Sequence, residues 1–366
     1  MSEIVVSKVN NRAGTGKVNL SNSFTIDGAA PSLTIVTYTE SATEPSNPSN
    51  GDAWWDTANS RFEMYIGGVW KRLIGTIPPP PEWYGDRAIK FGGNVTYQIE
   101  YFSLASNGNS ADFGDMYGQP SSLGAAFSDG SKCFVAGGLI SNVYRNDIAY
   151  VTASTLGNTT DHGDLTVARS WTNGCSDVTY GVVMGGAISG GTSNAIDRVT
   201  LATAGNAVDF GDLVSARNGI GAVGNGTYGI AMGGGTANTI EYVTIATTGD
   251  AADFGDLTVA RGGSSATGDT TRGILGGGFA SSIKNTLDYI TMATTGNATD
   301  FGDMLSTYTQ AGATSDATTG VWMGGYTGST VNVIQKVTIQ TTGNATDFGD
   351  LLAVQRFAVA TSGASS

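Results

Sequence analysis

The chain has 366 residues, 54 of them glycine, with 13% charged residues, 40% hydrophobic residues and a net charge of −13. That acidity argues against nucleic acid as the main partner, because phosphate binding needs clustered Lys and Arg. No apolar run is long enough to span a bilayer, and the apolar fraction supplies a core that a disordered chain would lack.

The first 30 residues, including "SEIVVSKVNNRAGTGKVNLSNSFTIDG", carry few apolar side chains, Gly-centred breaks and no helical period. They read as an extended arm that cannot offset its own ordering entropy. Its β-branched stretches "IVV" and "FTI" suit strand addition to a sheet edge of a partner. The start lacks the charged segment, apolar stretch and cleavage site of a signal peptide. Residues 31–76 read as a small β module. Within it, "GDAWWDTANSRFEMYIGGVWKRL" at 51–73 predicts a meander of "AWWD", "RFEMYIGG" and "VWKRL". A proline-rich spacer follows at 77–83, with "PPPP" at 78–81 stiffening it.

From residue 84 to 366 the chain repeats. A motif of the form "TDFGD" ends at Asp115, Asp164, Asp212, Asp256, Asp303 and Asp350, so the steps are 49, 48, 44, 47 and 47 residues. A double glycine keeps pace, from Gly92-Gly93 to Gly324-Gly325, and between the two lies a segment such as "TIEYVTIAT". A period of 40 to 50 residues predicts propeller blades or solenoid turns. Each unit reads as four short strands: a small-residue strand, an apolar strand ending in Gly-Gly, a strand apolar on both faces, and the strand that closes the unit. The double glycine suits a place where backbone crowds the ring axis. The recurring "GNATDFGD" reads as the turn into the outermost strand, with Phe for packing and Asp forming the turn. The first copy, "DRAIKFGG" at 86–93, starts at its second strand, and "QRFAVATSGASS" at 355–366 is an orphan first strand. Pairing the two completes six blades and removes the exposed edges.

The order of strands resembles a kelch-type blade, with Arg169, Arg217, Arg261 and Arg356 in its leading arginine slot, although Phe or His162 stands where such blades usually carry Trp. The resemblance implies an all-β fold: a six-bladed kelch-like β-propeller preceded by an extended N-terminal arm and a small β-meander module. The meander resembles "G-D-x-W-x-D … G-x-W" modules of bacteriophage tail fibres and related virion proteins, and the arm resembles the N-terminal arms of the same proteins. This second resemblance implies a non-enzymatic virion structural protein, a tail fibre or tail-associated protein. Residues 1–76 would attach to other virion proteins, the chain would be a homo-oligomer in the particle, and the propeller would face a host glycan or receptor. Assembly would take place in the bacterial host cytoplasm. A capsid-decorating knob and a lectin-like glycan-binding propeller are the alternatives.

No catalytic, metal or cofactor residue emerges. Aspartates three apart, such as Asp253 and Asp256, offer too few oxygens for calcium and read as structural, meeting a backbone N–H or the Arg five residues later (Asp164–Arg169, Asp212–Arg217, Asp256–Arg261). The one histidine, His162, fills the packing slot that Phe occupies in the other copies, which leaves no His-based metal site or triad. The recurring acids Glu100, Asp197, Glu241 and Asp288 read as structural. Cys133 and Cys175 read as buried thiols. The loops after Gly-Gly differ most between copies, and Tyr144, Arg145, Phe279, Lys284 and Tyr326 are the residues there able to stack or donate.

Overall fold

The computed structural model describes residues 83–94, 96–116 and 123–365, and before them 4–5, 10–11, 18–19, 39–41, 43–49, 52–56 and 61–74. The proline-rich spacer up to its last residue, and most of the arm, lie outside the described residues. The chain divides into two units, Met1–Pro81 and Glu82–Ser366.

In the first unit, Ala53–Asp56, Arg61–Ile66 and Val69–Ile74 form the expected meander, with Thr39–Ser41 parallel to one edge and Ile4–Val5 parallel to the other. The β-branched stretch of the arm thus occupies an edge of the chain's own module. Trp54 is buried and its indole N–H donates to the Ser41 carbonyl at 3.1 Å. Trp70 meets Trp54 edge-on at 5.5 Å and Tyr65 at 5.4 Å, and Met64 is buried.

The second unit is a six-bladed propeller of six four-stranded antiparallel sheets. Five blades are contiguous in sequence; the sixth joins Val359–Gly363 to Arg87–Phe91, with Val359 opposite Phe91 and Gly363 opposite Arg87. The innermost strands form a closed ring around a channel lined by small residues, and each touches only its two neighbours there. The third strands are covered on both faces, as expected of a strand between two sheets: in Thr239–Thr244, Ile240, Glu241 and Val243 are buried and Tyr242 is half-buried.

The motif that recurs in the sequence is a clasp. "TDFGD" lies in the outermost strand, and the preceding Gly-Asn lies in the loop that leads into it. That Gly-Asn reaches back to the previous blade. Gly296 N–H donates to the Phe254 carbonyl at 2.7 Å, and the Asn297 side chain accepts from Asp256 N–H at 3.0 Å. The same pair of bonds recurs at every joint, with Asp250 in place of Asn once. At the closing joint, Gly108 meets Phe348 and Asn109 meets Asp350. The glycine of each "FGD" has φ between +146° and +157°, and a Cβ there would lie 2.2–2.5 Å from the clasping glycine's carbonyl oxygen. Only glycine fits. Each copy therefore clasps one neighbour and is clasped by the other, which is why the same letters must recur.

The final aspartate of the motif is a strand residue, not the turn former expected. The turns between first and second strands are built by Asp129, Asp177, Asn225, Asp269 and Asp316, whose side-chain oxygen accepts N–H groups two and three residues on. Phe113, Phe210, Phe254, Phe301 and Phe348 are buried as packing residues, and His162 takes the same place, 5.1 Å from Phe134 and 5.9 Å from Tyr150.

The arginines do not meet the aspartates five residues earlier. Arg169, Arg217 and Arg261 instead pair with the third-strand acids Asp197 (3.3 Å), Glu241 (3.1 Å) and Asp288 (2.9 Å), all buried. In these three blades the outermost strand ends at the aspartate and the chain bends before it reaches the arginine, whereas the fold brings the arginine beside a third-strand acid 24 to 28 positions on. Burial pulls the guanidinium of Arg169 and of Arg217 below its ordinary range, and the paired carboxylate opposes that pull. The same third-strand side chain accepts a backbone N–H from the end of the previous outermost strand: Thr166, Val214, Thr258, Leu305 and Leu352 donate to Asp197, Glu241, Asp288, Gln335 and Glu100. Glu100 also holds Lys90 at 2.9 Å.

Arg356 is not in the leading slot; Gln355 is. Gly138, Gly186, Gly234, Gly278 and Gly325 donate to the leading residue's carbonyl, and the residues so contacted are Arg169, Arg217, Arg261, Tyr308 and Gln355. The crowding that demands this glycine pair occurs where the chain leaves the outer edge of the same blade rather than at the ring axis: a Cβ at Gly185 would lie 2.7 Å from the Arg217 carbonyl oxygen. Cys133 and Cys175 are free buried thiols, both pushed up to about 12 by loss of solvent.

Candidate binding site at the channel mouth

The propeller has two unlike faces. The lower face carries the turns between first and second strands, and the chain enters there: Trp83 packs on the turn at Gly226, Gly85 N–H donates to Ser362 at 3.3 Å, and Asp86 accepts from Ser365 at 2.8 Å. Trp83 and Tyr84 line a 110 Å³ space at that end of the channel. The upper face carries the loops after Gly-Gly and the connections between blades.

Each connection places one residue at the upper mouth, two positions after the leading slot. These residues are Leu123, Trp171, Gly219, Gly263, Gln310 and Phe357, and all have left-handed backbone, with φ from +51° to +66°. The conformation is imposed by hydrogen bonding around the mouth. Leu123 N–H donates to Phe357, Phe357 to Gln310, Gln310 to Gly263, Gly263 to Gly219 and Gly219 to Trp171, at 2.8–2.9 Å. Five backbone bonds thus link the six residues head to tail. Glycine adopts this conformation freely, whereas a bulky side chain pays about 1 kcal/mol or more. Four of the six positions nevertheless carry Leu, Trp, Gln and Phe.

The side chains converge. Trp171 and Phe357 meet edge-on at 5.5 Å. The Trp171 ring leans across the mouth over the two bare positions, lying 3.5 Å and 3.7 Å from where a Cβ of Gly219 and Gly263 would be. Arg356 lies over the rings of Phe357 (4.7 Å) and Tyr326 (5.3 Å). Among the described arginines of the propeller, it alone has neither a carboxylate partner nor a side-chain hydrogen bond to another described residue. Beside Trp171 lies an open depression of about 230 Å³, floored by Gly219, Gly262 and Gly263 and walled by Phe279, Asn218 and Gln310.

Of the residues singled out in the sequence, the structure brings Phe279 to this depression, 53% exposed, and Tyr326 to the Arg356 stack. Arg145 is engaged by Asp147 at 2.7 and 3.0 Å, and Lys284 donates to Ser282 at 3.2 Å in its own hairpin. Tyr144, half-buried, faces Leu139 across its hairpin. These three do not line the depression. The residues missed, Trp171, Asn218, Gln310 and Phe357, lie in connections without a motif, and Arg356 was read as a leading-slot residue rather than a surface one. The slot two after the leading residue reads Trp, Gly, Gly, Gln and Phe, and the positions on either side of it vary as much, so the sequence carries no signal for the mouth.

Among the described residues, no group of three or more His, Cys, Asp or Glu converges as a metal site. No family model matches the chain, and comparison with curated proteins finds no match.

Proposed function

We propose that this is a virion structural protein of the bacteriophage tail-fibre or tail-associated type, without enzymatic activity, whose kelch-like propeller displays a recognition face to the host surface. The observation that carries the reading is the opposition of the propeller's two faces. The chain enters beside Trp83 on the lower face, while the variable loops and the aromatic mouth lie on the upper one. A module tethered from below presents its upper face outward. The likeness of residues 51–73 and of the arm to tail-fibre segments supplies the virion context, with residues 1–76 attaching to other virion proteins and the chain acting as a homo-oligomer. The double glycines and the buried leading arginines support the kelch-like reading of the blades.

The test is antibody labelling of intact virions, viewed by electron microscopy, together with competition of virion adsorption by the purified propeller. Label on the tail and dose-dependent competition are expected. Label on the shell would favour a capsid-decorating knob, and absence from particles would overturn the proposal.

A further inference from the structure

The backbone bonds around the upper mouth require left-handed conformation at six positions, and glycine at all six would meet that requirement at the lowest cost. Side chains at four of them are therefore not there to build the ring. The polar groups at the depression point the same way: among the described residues the Gln310 carbonyl oxygen is buried without a hydrogen-bond partner, and the more open Trp171 indole N–H and Asn218 carboxamide make no hydrogen bond to another described residue. Unspent donors and acceptors beside bare aromatic surface describe a surface awaiting a ligand that is apolar on one face and rich in hydroxyls at its edge.

We infer that the depression between Trp171 and Phe279 binds a neutral pyranose sugar, one ring deep, on the glycine floor of Gly219 and Gly263. The shape fits: about 230 Å³, open to solvent, accommodates a single sugar ring without burying a long chain. The chemistry fits as well. A pyranose offers a C–H face to stack on an aromatic ring, and equatorial hydroxyls to reach amides at its rim. The lining side chains carry no charge, so an ionised sugar would gain no ion pair there, in a chain of net charge −13. Gly219 and Gly263 leave room for the Trp171 ring to lie across the mouth as one wall of the depression, and a Cβ at Gly263 would also collide with the Thr309 hydroxyl, 2.8 Å away. Gln310 Oε1 and the Asn218 carboxamide accept and donate at the ring edge, and Trp171 with Phe279 holds the apolar faces.

This inference rests on the upper face being the recognition face, and it is tested apart from the virion. The purified full chain is titrated with a panel of neutral hexoses, 6-deoxyhexoses and N-acetylhexosamines, and read by saturation-transfer NMR. Saturable millimolar binding of at least one member is expected. Phe279→Ala and Asn218→Ala change accessible side chains, so the unfolding midpoint should stay put while affinity for that sugar drops about tenfold in each. Trp171→Leu should abolish binding. If no member of the panel binds, or if the bound sugar is indifferent to both Phe279→Ala and Asn218→Ala, the site is wrong. Virions that still adsorb through the propeller in that case would leave the display function standing and overturn the sugar site alone.

Discussion

The clasp at the lower rim and the ring at the upper mouth make the same kind of contact, backbone to backbone across a joint, yet they treat side chains in opposite ways. At the clasp, six copies carry the same glycine because a Cβ would strike the neighbouring carbonyl. At the mouth, an equally uniform backbone carries Leu, Trp, Gly, Gly, Gln and Phe. The difference teaches where selection of a side chain is steric and where it is free. Uniformity marks the joints that hold the ring, and diversity over a uniform backbone marks the surface available for recognition.

The largest effect is expected from removing the closing strand. Deleting residues 355–366 unpairs Arg87–Phe91 and leaves an open sheet edge at the joint. Loss of a cooperative thermal transition and aggregation in size-exclusion chromatography are expected; a truncated protein that keeps its midpoint would break the comparison at its root. Next come the buried pairs. Arg261→Ala strands the Asp288 carboxylate, which is fully buried, and should cost about 3–5 kcal/mol in denaturant unfolding. The double change Arg261→Tyr with Asp288→Gln should recover most of that loss, because the joint of Tyr308 and Gln335 uses those residues at the same slots without an ion pair and Gln335 still accepts the Leu305 N–H.

The smallest effect is a pH dependence. Burial pulls the His162 imidazole below its ordinary value of 6.5, against the opposing bond to the Thr200 carbonyl. The unfolded chain therefore takes up the proton first. The stability this neutral histidine contributes is complete above pH 6.5 and is lost as pH falls through the lower folded value. His162→Phe, the residue of the other five copies, should leave stability at neutral pH within about 1 kcal/mol and flatten its decline on acidification. Unfolding midpoints of the two proteins between neutral and acid pH check the sign; parallel curves would show that His162 does not titrate differently on folding.

The six blades were legible in the sequence because the repeat spacing and the interrupted ends both register the closed ring. The partners of the repeated residues were not. Asp256 and Arg261 are close along the chain but belong to different contacts, since the partner of Arg261 arrives from the third strand at Asp288. The leading slot was misplaced at Arg356 for a similar reason. Counted from Leu351, the step that leads from Leu257 to Arg261 ends at Gln355, and only the carbonyl contact with Gly325 makes that register visible. Of the five loop residues the sequence singles out, Phe279 alone lines the depression. Phe279 stands in a variable loop and could be read as exposed, whereas Trp171 and Gln310 owe their place to left-handed backbone that no residue type announces.

The central claim is that one clasp repeats around a closed ring, so the joint between the chain's two ends equals any internal joint. Gly255→Ala damages an internal clasp and Gly349→Ala damages the closing one, each by placing a Cβ against the neighbouring glycine's carbonyl at a φ near +150°. Thermal and denaturant unfolding of the two variants measures the claim directly. Equal losses of about 2–4 kcal/mol are predicted. A Gly349→Ala protein as stable as the unmodified chain, beside a destabilised Gly255→Ala protein, would contradict the closed ring.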